Sequence, residues 1–136
     1  MRYCLDTTFL DALCKGDPGV GAMLDAWRDS DVQLLTTEMN YFELRIGIER
    51  LKDRREREIC RERLEKALMV VGVFPFERAA ADLAVKRQVE LYKKGRPAAS
   101  TDLFIAAAAK AGGCSAIVTR NVTDFERIGL LKVVAH

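Results

Sequence analysis

The chain has 136 residues, 49% of them hydrophobic and 31% charged, and a formal net charge of +2. These values are ordinary for a soluble globular protein and suit one domain, residues 1–136, with one sizeable core. A charge this small does not by itself argue for nucleic-acid binding.

No apolar run approaches the length needed to cross a bilayer, and the opening Met1-Arg2-Tyr3-Cys4-Leu5-Asp6 holds no apolar signal core, so a cytoplasmic protein without a membrane partner is expected. The four cysteines (Cys4, Cys14, Cys60, Cys114) form no C-x-x-C pair, and the one histidine is His136. Neither a zinc site nor a Cys/His nucleophile is supported, and reduced, mostly buried thiols are expected.

In chain order, Arg2–Leu5 reads as a short strand, and Asp6-Thr7-Thr8 starts a helix through Phe9, Leu10, Ala12 and Leu13 that ends before Lys15-Gly16. Asp17-Pro18 caps a second helix to about Trp27. Residues 32–35 form a second strand, followed by Thr36-Thr37 and a long helix over residues 38–51. Residues 52–66 are densely charged, with helical i, i+4 pairs such as Arg54 with Glu58 and Arg61 with Glu65 on a solvated face. Residues 68–76 are apolar and β-rich, with Pro75 closing the strand. Residues 77–94 read as a helix, Lys94-Gly95-Arg96-Pro97 as a loop, and Ser100-Thr101 as the start of an Ala-rich helix to Ala111, ended by Gly112-Gly113. Residues 116–118 are a buried strand that gives way to the polar Thr119, Arg120, Asn121 and Asp124; residues 131–135 form the last strand. Strands alternating with helices argue for an α/β fold with a mainly parallel sheet, whose ligand crevice lies outside the carboxyl ends of the strands.

Several acids are expected at that edge. Asp6 stands where the first strand becomes a helix, where an N-cap role is equally natural. Asp102 tops a stripe with Ile105, Ala106 and Ala109, in a first turn that suits a carboxylate in any case. Glu43 falls on an apolar side of its helix with Met39, Phe42 and Ile46, away from the wet stripe of Glu38, Arg45 and Glu49; an internal salt bridge is the alternative. Asp124 follows a strand end and could equally cap a short helical turn. Facing one crevice unpaired, these acids would raise each other's pKa, and a divalent cation would remove the penalty. Oxygen ligands without His or Cys indicate Mg²⁺ or Mn²⁺, and hence hydrolysis of a phosphodiester or phosphate ester.

Leu5-Asp6-Thr7-Thr8-Phe9-Leu10, Glu43-Leu44-Arg45-Ile46-Gly47, Asp102-Leu103-Phe104-Ile105-Ala106-Ala107 and Thr119-Arg120-Asn121-Val122-Thr123-Asp124-Phe125 resemble, in order and spacing, the motifs of PIN-domain ribonucleases, above all VapC-like toxins of toxin-antitoxin pairs. The resemblance implies a three-layer α/β/α sandwich with a parallel sheet, Mg²⁺-dependent endonucleolytic cleavage of RNA, a homodimer and an antitoxin whose C-terminal segment covers the site. Asp6, Glu43, Asp102 and Asp124 fall on the family's four acids, expected to be both catalytic and metal-binding; Thr7, Thr119 and Asn121 fall on polar positions beside them. Thr8 departs from the Asn or Ser that many relatives carry. Arg120 is a candidate for substrate phosphate. Two other classes compete. One is a non-catalytic PIN-like module that binds RNA or protein; the other is a phosphatase with Asp6 as nucleophile, whose usual Asp-x-Asp is missing because Thr8 stands in place of the second acid.

Overall fold

The computed structural model describes all 136 residues. The elements are β1 (Arg2–Leu5), α1 (Thr7–Cys14), α2 (Pro18–Arg28), β2 (Gln33–Thr37), α3 (Glu38–Glu49), α4 (Arg54–Leu68), β3 (Gly72–Phe74), α5 (Arg78–Lys93), α6 (Ser100–Ala111), β4 (Ala116–Thr119), α7 (Val122–Ile128) and β5 (Lys132–Ala135). The strands form one sheet in the order β3-β2-β1-β4-β5, with every neighbouring pair parallel.

Successive side chains of a strand point to opposite faces, and here they feed two separate cores. Cys4 and Ile117 enter one core, while the next residues, Leu5 and Val118, enter the other. The first core is closed by α5, α6 and α7 through Ala84, Leu91, Ile105 and Phe125, and the second by α1 to α4 through Phe9, Leu10, Leu44 and Leu64. The result is the expected α/β/α sandwich. Both faces of the sheet are covered, so its strands read as continuous apolar runs rather than alternating ones. On α6, Ala106, Ala107, Ala108 and Ala109 are all buried, which lets this helix lie close to its neighbours.

The charged stretch is the amphipathic helix α4. Asp53 caps it, its Oδ1 accepting from Arg55 N at 2.8 Å, and its buried stripe is Cys60, Leu64 and Ala67. This helix takes Leu68 from the strand expected over residues 68–76, and Met69 and Val70 form an exposed turn, so that only Gly72–Phe74 pairs in the sheet. A short apolar run at a helix end carries no periodicity that separates it from a strand.

The strand order places β2 on one side of β1 and β4 on the other. The chain turns toward α1 after β1 and toward α7 after β4, on opposite faces. This is the topological switch point, where the loops beyond the strand ends part and leave a crevice. No helix is long and apolar enough to cross a membrane.

Candidate active site

Asp6 occupies the first position beyond β1 and is 3% exposed. Its backbone is extended (φ −72°, ψ 164°), as at an N-cap, yet its side chain makes no capping bond to α1. Both carboxylate oxygens are engaged elsewhere. Oδ1 accepts from Asn40 Nδ2 at 3.1 Å; Oδ2 accepts from Thr119 Oγ1 at 2.6 Å and from Thr8 Oγ1 at 3.3 Å. A buried carboxylate needs such donors, and they hold it in one orientation.

Asn40 is the residue that sequence reasoning missed. It is fully buried in the first turn of α3, and its Oδ1 accepts from both Thr37 N and Thr37 Oγ1 in a reciprocal capping box. Its Nδ2 then donates to Asp6 Oδ1 and, at 3.0 Å, to Thr7 Oγ1. Thr7 Oγ1 in turn donates to Glu43 Oε1 at 2.7 Å. One amide thus joins the networks of two acids. The signal was present: Thr37 and Asn40 have capping-box spacing, and Asn40 shares a helical face with the buried Leu44 and Ile48.

Glu43 is half-buried and lies one turn after Asn40 on α3. The apolar side used to place it is partly wet, since Phe42 and Ile46 are 58% and 44% exposed. Glu43 forms no salt bridge, and a Cβ on Gly47 would meet nothing within 4 Å. Asp102, in the first turn of α6, is half-buried above the fully packed Ile105 and Ala109. Burial, then the negative charges of Asp6, Asp124 and Glu43, push its carboxyl from 3.8 up to about 6, against a smaller opposite pull from Arg127. The four acids therefore share one electrostatic neighbourhood. They do not form a ready-made cage: no three His, Cys, Asp or Glu side chains are arranged to hold an ion as they stand.

Asp124 lies inside the first turn of α7 rather than capping it, and its Oδ1 is 3.6 Å from Arg127 Nη2. The N-cap position belongs to Asn121, whose side chain makes no cap bond; its backbone N–H donates to Thr119 Oγ1 at 2.9 Å. Arg120 is exposed, with Nη2 3.5 Å from Asp17 Oδ2 and its backbone N–H on Thr8 Oγ1.

The PIN domain model matches residues 3–131. The chain belongs to the PIN-domain family. Among its PIN-domain relatives, "Ribonuclease VapC" of Rickettsia bellii is 32% identical over 98% of this chain and 96% of its own length. "Toxin FitB" of Neisseria gonorrhoeae is 30% identical, covering 89% of this chain and 88% of its own length. The VapBC-1 structure from nontypeable Haemophilus influenzae superposes with a TM-score of 0.81 at 27% identity, covering 99% of this chain and 98% of the other. VapBC2 from Rickettsia felis, bound to a DNA fragment from its promoter, gives 0.86 at 23% identity over 100% and 99%, and shares the PIN fold.

Proposed function

We propose that this protein is a metal-dependent endoribonuclease, the toxin of a toxin-antitoxin pair, which hydrolyses RNA phosphodiester bonds at Asp6, Glu43, Asp102 and Asp124. The reading rests on the buried Asp6 carboxylate, held at the crevice by Asn40 and Thr119, with Glu43 and Asp124 near enough that together they push the Asp102 carboxyl up. Like charges packed at one sheet edge destabilise the fold unless a cation joins them. The names and assemblies of the relatives support the same reading: a ribonuclease, a toxin and VapBC complexes.

The donor chemistry fits Mg²⁺ or Mn²⁺, because the four acids offer hard oxygen ligands. Asp6 and Asp102 are the principal ligands in this reading, with Glu43 completing the shell or orienting the nucleophile, and Asp124 supporting a second ion or the water shell. When bound, such an ion engages phosphate oxygens and lowers the pKa of a water molecule, the chemistry that phosphodiester hydrolysis requires. The chain's own residues keep the acids oriented. Asn40 and Thr119 fix the two oxygens of Asp6, Thr7 fixes Glu43, and Asn121 holds the Thr119 hydroxyl through its backbone. Arg120, exposed at the rim, is the cation placed to meet a substrate phosphate.

An antitoxin partner, a homodimer and a cytoplasmic location complete the proposal. Phe76, Val85, Val89 and Tyr92 line an exposed apolar groove between α5 and α6 that is available to a second copy. Sedimentation showing only monomer at high concentration would refute the dimer. The enzymatic reading is tested by incubating purified protein with a mixed structured RNA and Mn²⁺, Mg²⁺ or EDTA, beside Asp102→Asn. Metal-dependent cutting that the variant loses is the expected result. Absence of both cutting and metal binding would leave a non-catalytic PIN-like module.

A further inference from the structure

His136 follows β5 directly and packs edge-on against Phe9, with ring centroids 5.2 Å apart. Its Nε2 lies 3.2 Å from Thr8 Oγ1, while Nδ1 is buried without a partner. Thr8 Oγ1 is a crowded atom. It accepts from Arg120 N at 3.1 Å, and it stands 3.3 Å from Asp6 Oδ2 and 3.4 Å from Thr119 Oγ1.

An inventory of protons orders this cluster. A hydroxyl has one proton to give and two lone pairs to fill. The Thr119 proton goes to Asp6 Oδ2 over the shortest contact, and Asn121 N–H fills a lone pair of Thr119. The acceptors left for the Thr8 proton are Asp6 Oδ2, Thr119 Oγ1 and His136 Nε2. Nδ1 lacks a partner in either tautomer, so the count on Thr8 decides. If Nε2 took the Thr8 proton, Asp6 Oδ2 would lose a donor to its charge and one Thr8 lone pair would stay empty. With the proton on Nε2 instead, His136 fills the second lone pair of Thr8, whose own proton is free to point at the carboxylate.

We infer that His136 is a positioning residue of the acidic site: as a neutral imidazole protonated on Nε2, it donates to Thr8 Oγ1 and thereby directs the Thr8 hydroxyl to Asp6 Oδ2. The inference rests on the proposed role of Asp6 for its effect on catalysis, but the hydrogen-bond pattern stands apart from that role. It gives Thr8 a purpose: a hydroxyl at this position can serve Asp6, Arg120 and His136 together. Neither the composition nor the local sequence shows it, because residues 8 and 136 meet only through the sheet.

The protein has a single histidine, so its imidazole nitrogens can be read without assignment in a long-range proton–nitrogen correlation spectrum of the ¹⁵N-labelled full chain. Nε2 protonated and Nδ1 bare is expected; the Nδ1–H tautomer would overturn the inference. In Thr8→Val the preference should relax toward a mixture. His136→Phe keeps a ring on Phe9 but offers no donor, whereas His136→Gln offers an amide N–H in place of Nε2–H. The Asp6 carboxyl carbon shift should move in His136→Phe and return toward the parent value in His136→Gln. RNA cleavage with Mn²⁺ should fall about fivefold in His136→Phe, mainly in kcat, and recover in His136→Gln, the size expected for one lost orienting hydrogen bond. Equal cleavage and an unmoved Asp6 shift in His136→Phe would refute it. If the parent neither cuts RNA nor binds metal, the nuclease reading fails, while the tautomer and the Asp6 shift still decide the contact.

Discussion

Thr119 Oγ1 donates to Asp6 Oδ2 across 2.6 Å, and both residues are buried at the ends of adjacent parallel strands. The bond fixes a carboxylate that would otherwise be free to turn into α1 as an ordinary cap.

Thr119→Val keeps the shape and removes the donor. The variant should lose about 1–3 kcal/mol of stability, the usual effect of leaving a buried acceptor short of a partner. Urea unfolding gives the stability, and RNA cleavage should fall with it. An unchanged unfolding midpoint would mean that Asp6 has found water or another donor.

Asn40→Ala removes bonds to Thr37, Asp6 and Thr7 at once. It should destabilise by about 2–3 kcal/mol, more than any single exposed substitution on α3. Combined with Asp6→Ala, which removes the acceptor, the two effects should depart from simple additivity, because the two residues share a bond; strict additivity would argue that the Asn40–Asp6 contact contributes nothing.

Asp102 gives a pH signature whose sign is fixed by the direction of its shift. Its carboxyl lies at about 6 in the folded chain against 3.8 otherwise, so between these values the folded state holds the extra proton. Metal-free stability should therefore be highest at low pH as far as this group is concerned, decline as pH rises from about 4 to about 6, and level off above. The side chain is only half-buried, so the loss is discounted to about 1 kcal/mol. Asp102→Asn should remove this slope and unfold at higher temperature than the parent at pH 7 without metal, while losing RNA cleavage. Added Mn²⁺ should stabilise the parent at pH 7 more than at pH 5, where protons compete for the same oxygens.

The basic residues of α4 should contribute little to RNA affinity. Arg54 pairs with Glu58, Arg61 with Glu49, and Arg57 Nη1 donates to Leu51 O at 2.6 Å, closing the turn after α3. Arg54→Ala with Arg55→Ala should leave the salt dependence of RNA binding as in the parent, whereas Arg120→Ala should flatten it by about one phosphate contact. A flattened slope in the double variant would move the RNA path onto α4.

Most of the sandwich was legible because each buried strand is bounded by a polar residue or a turn, and each helix has a core-facing stripe. Asp6 and Asp102 could be picked out at such junctions. The start of β3 was not legible, since Leu68 and Val71 serve a helix end as well as a strand. Glu43 was singled out on a face that is half wet at Phe42 and Ile46; its bond to Thr7 depends on α1 meeting α3, which periodicity within α3 cannot report. Asn40 had a local signal, whereas His136 had none. Its neighbours Thr8 and Phe9 are supplied by the lateral order of β1, β4 and β5.

That lateral order also sets when the site can exist. Asp6 and Thr119 are 113 positions apart, and β4 must dock beside β1 before they touch. A chain emerging from the ribosome carries Asp6, Asn40 and Glu43 before Asp102, Thr119 and Asp124 have been made. Such distant pairings form late in folding. A site built this way has no complete set of acids until the chain has been made as far as Asp124 and β4 has docked beside β1.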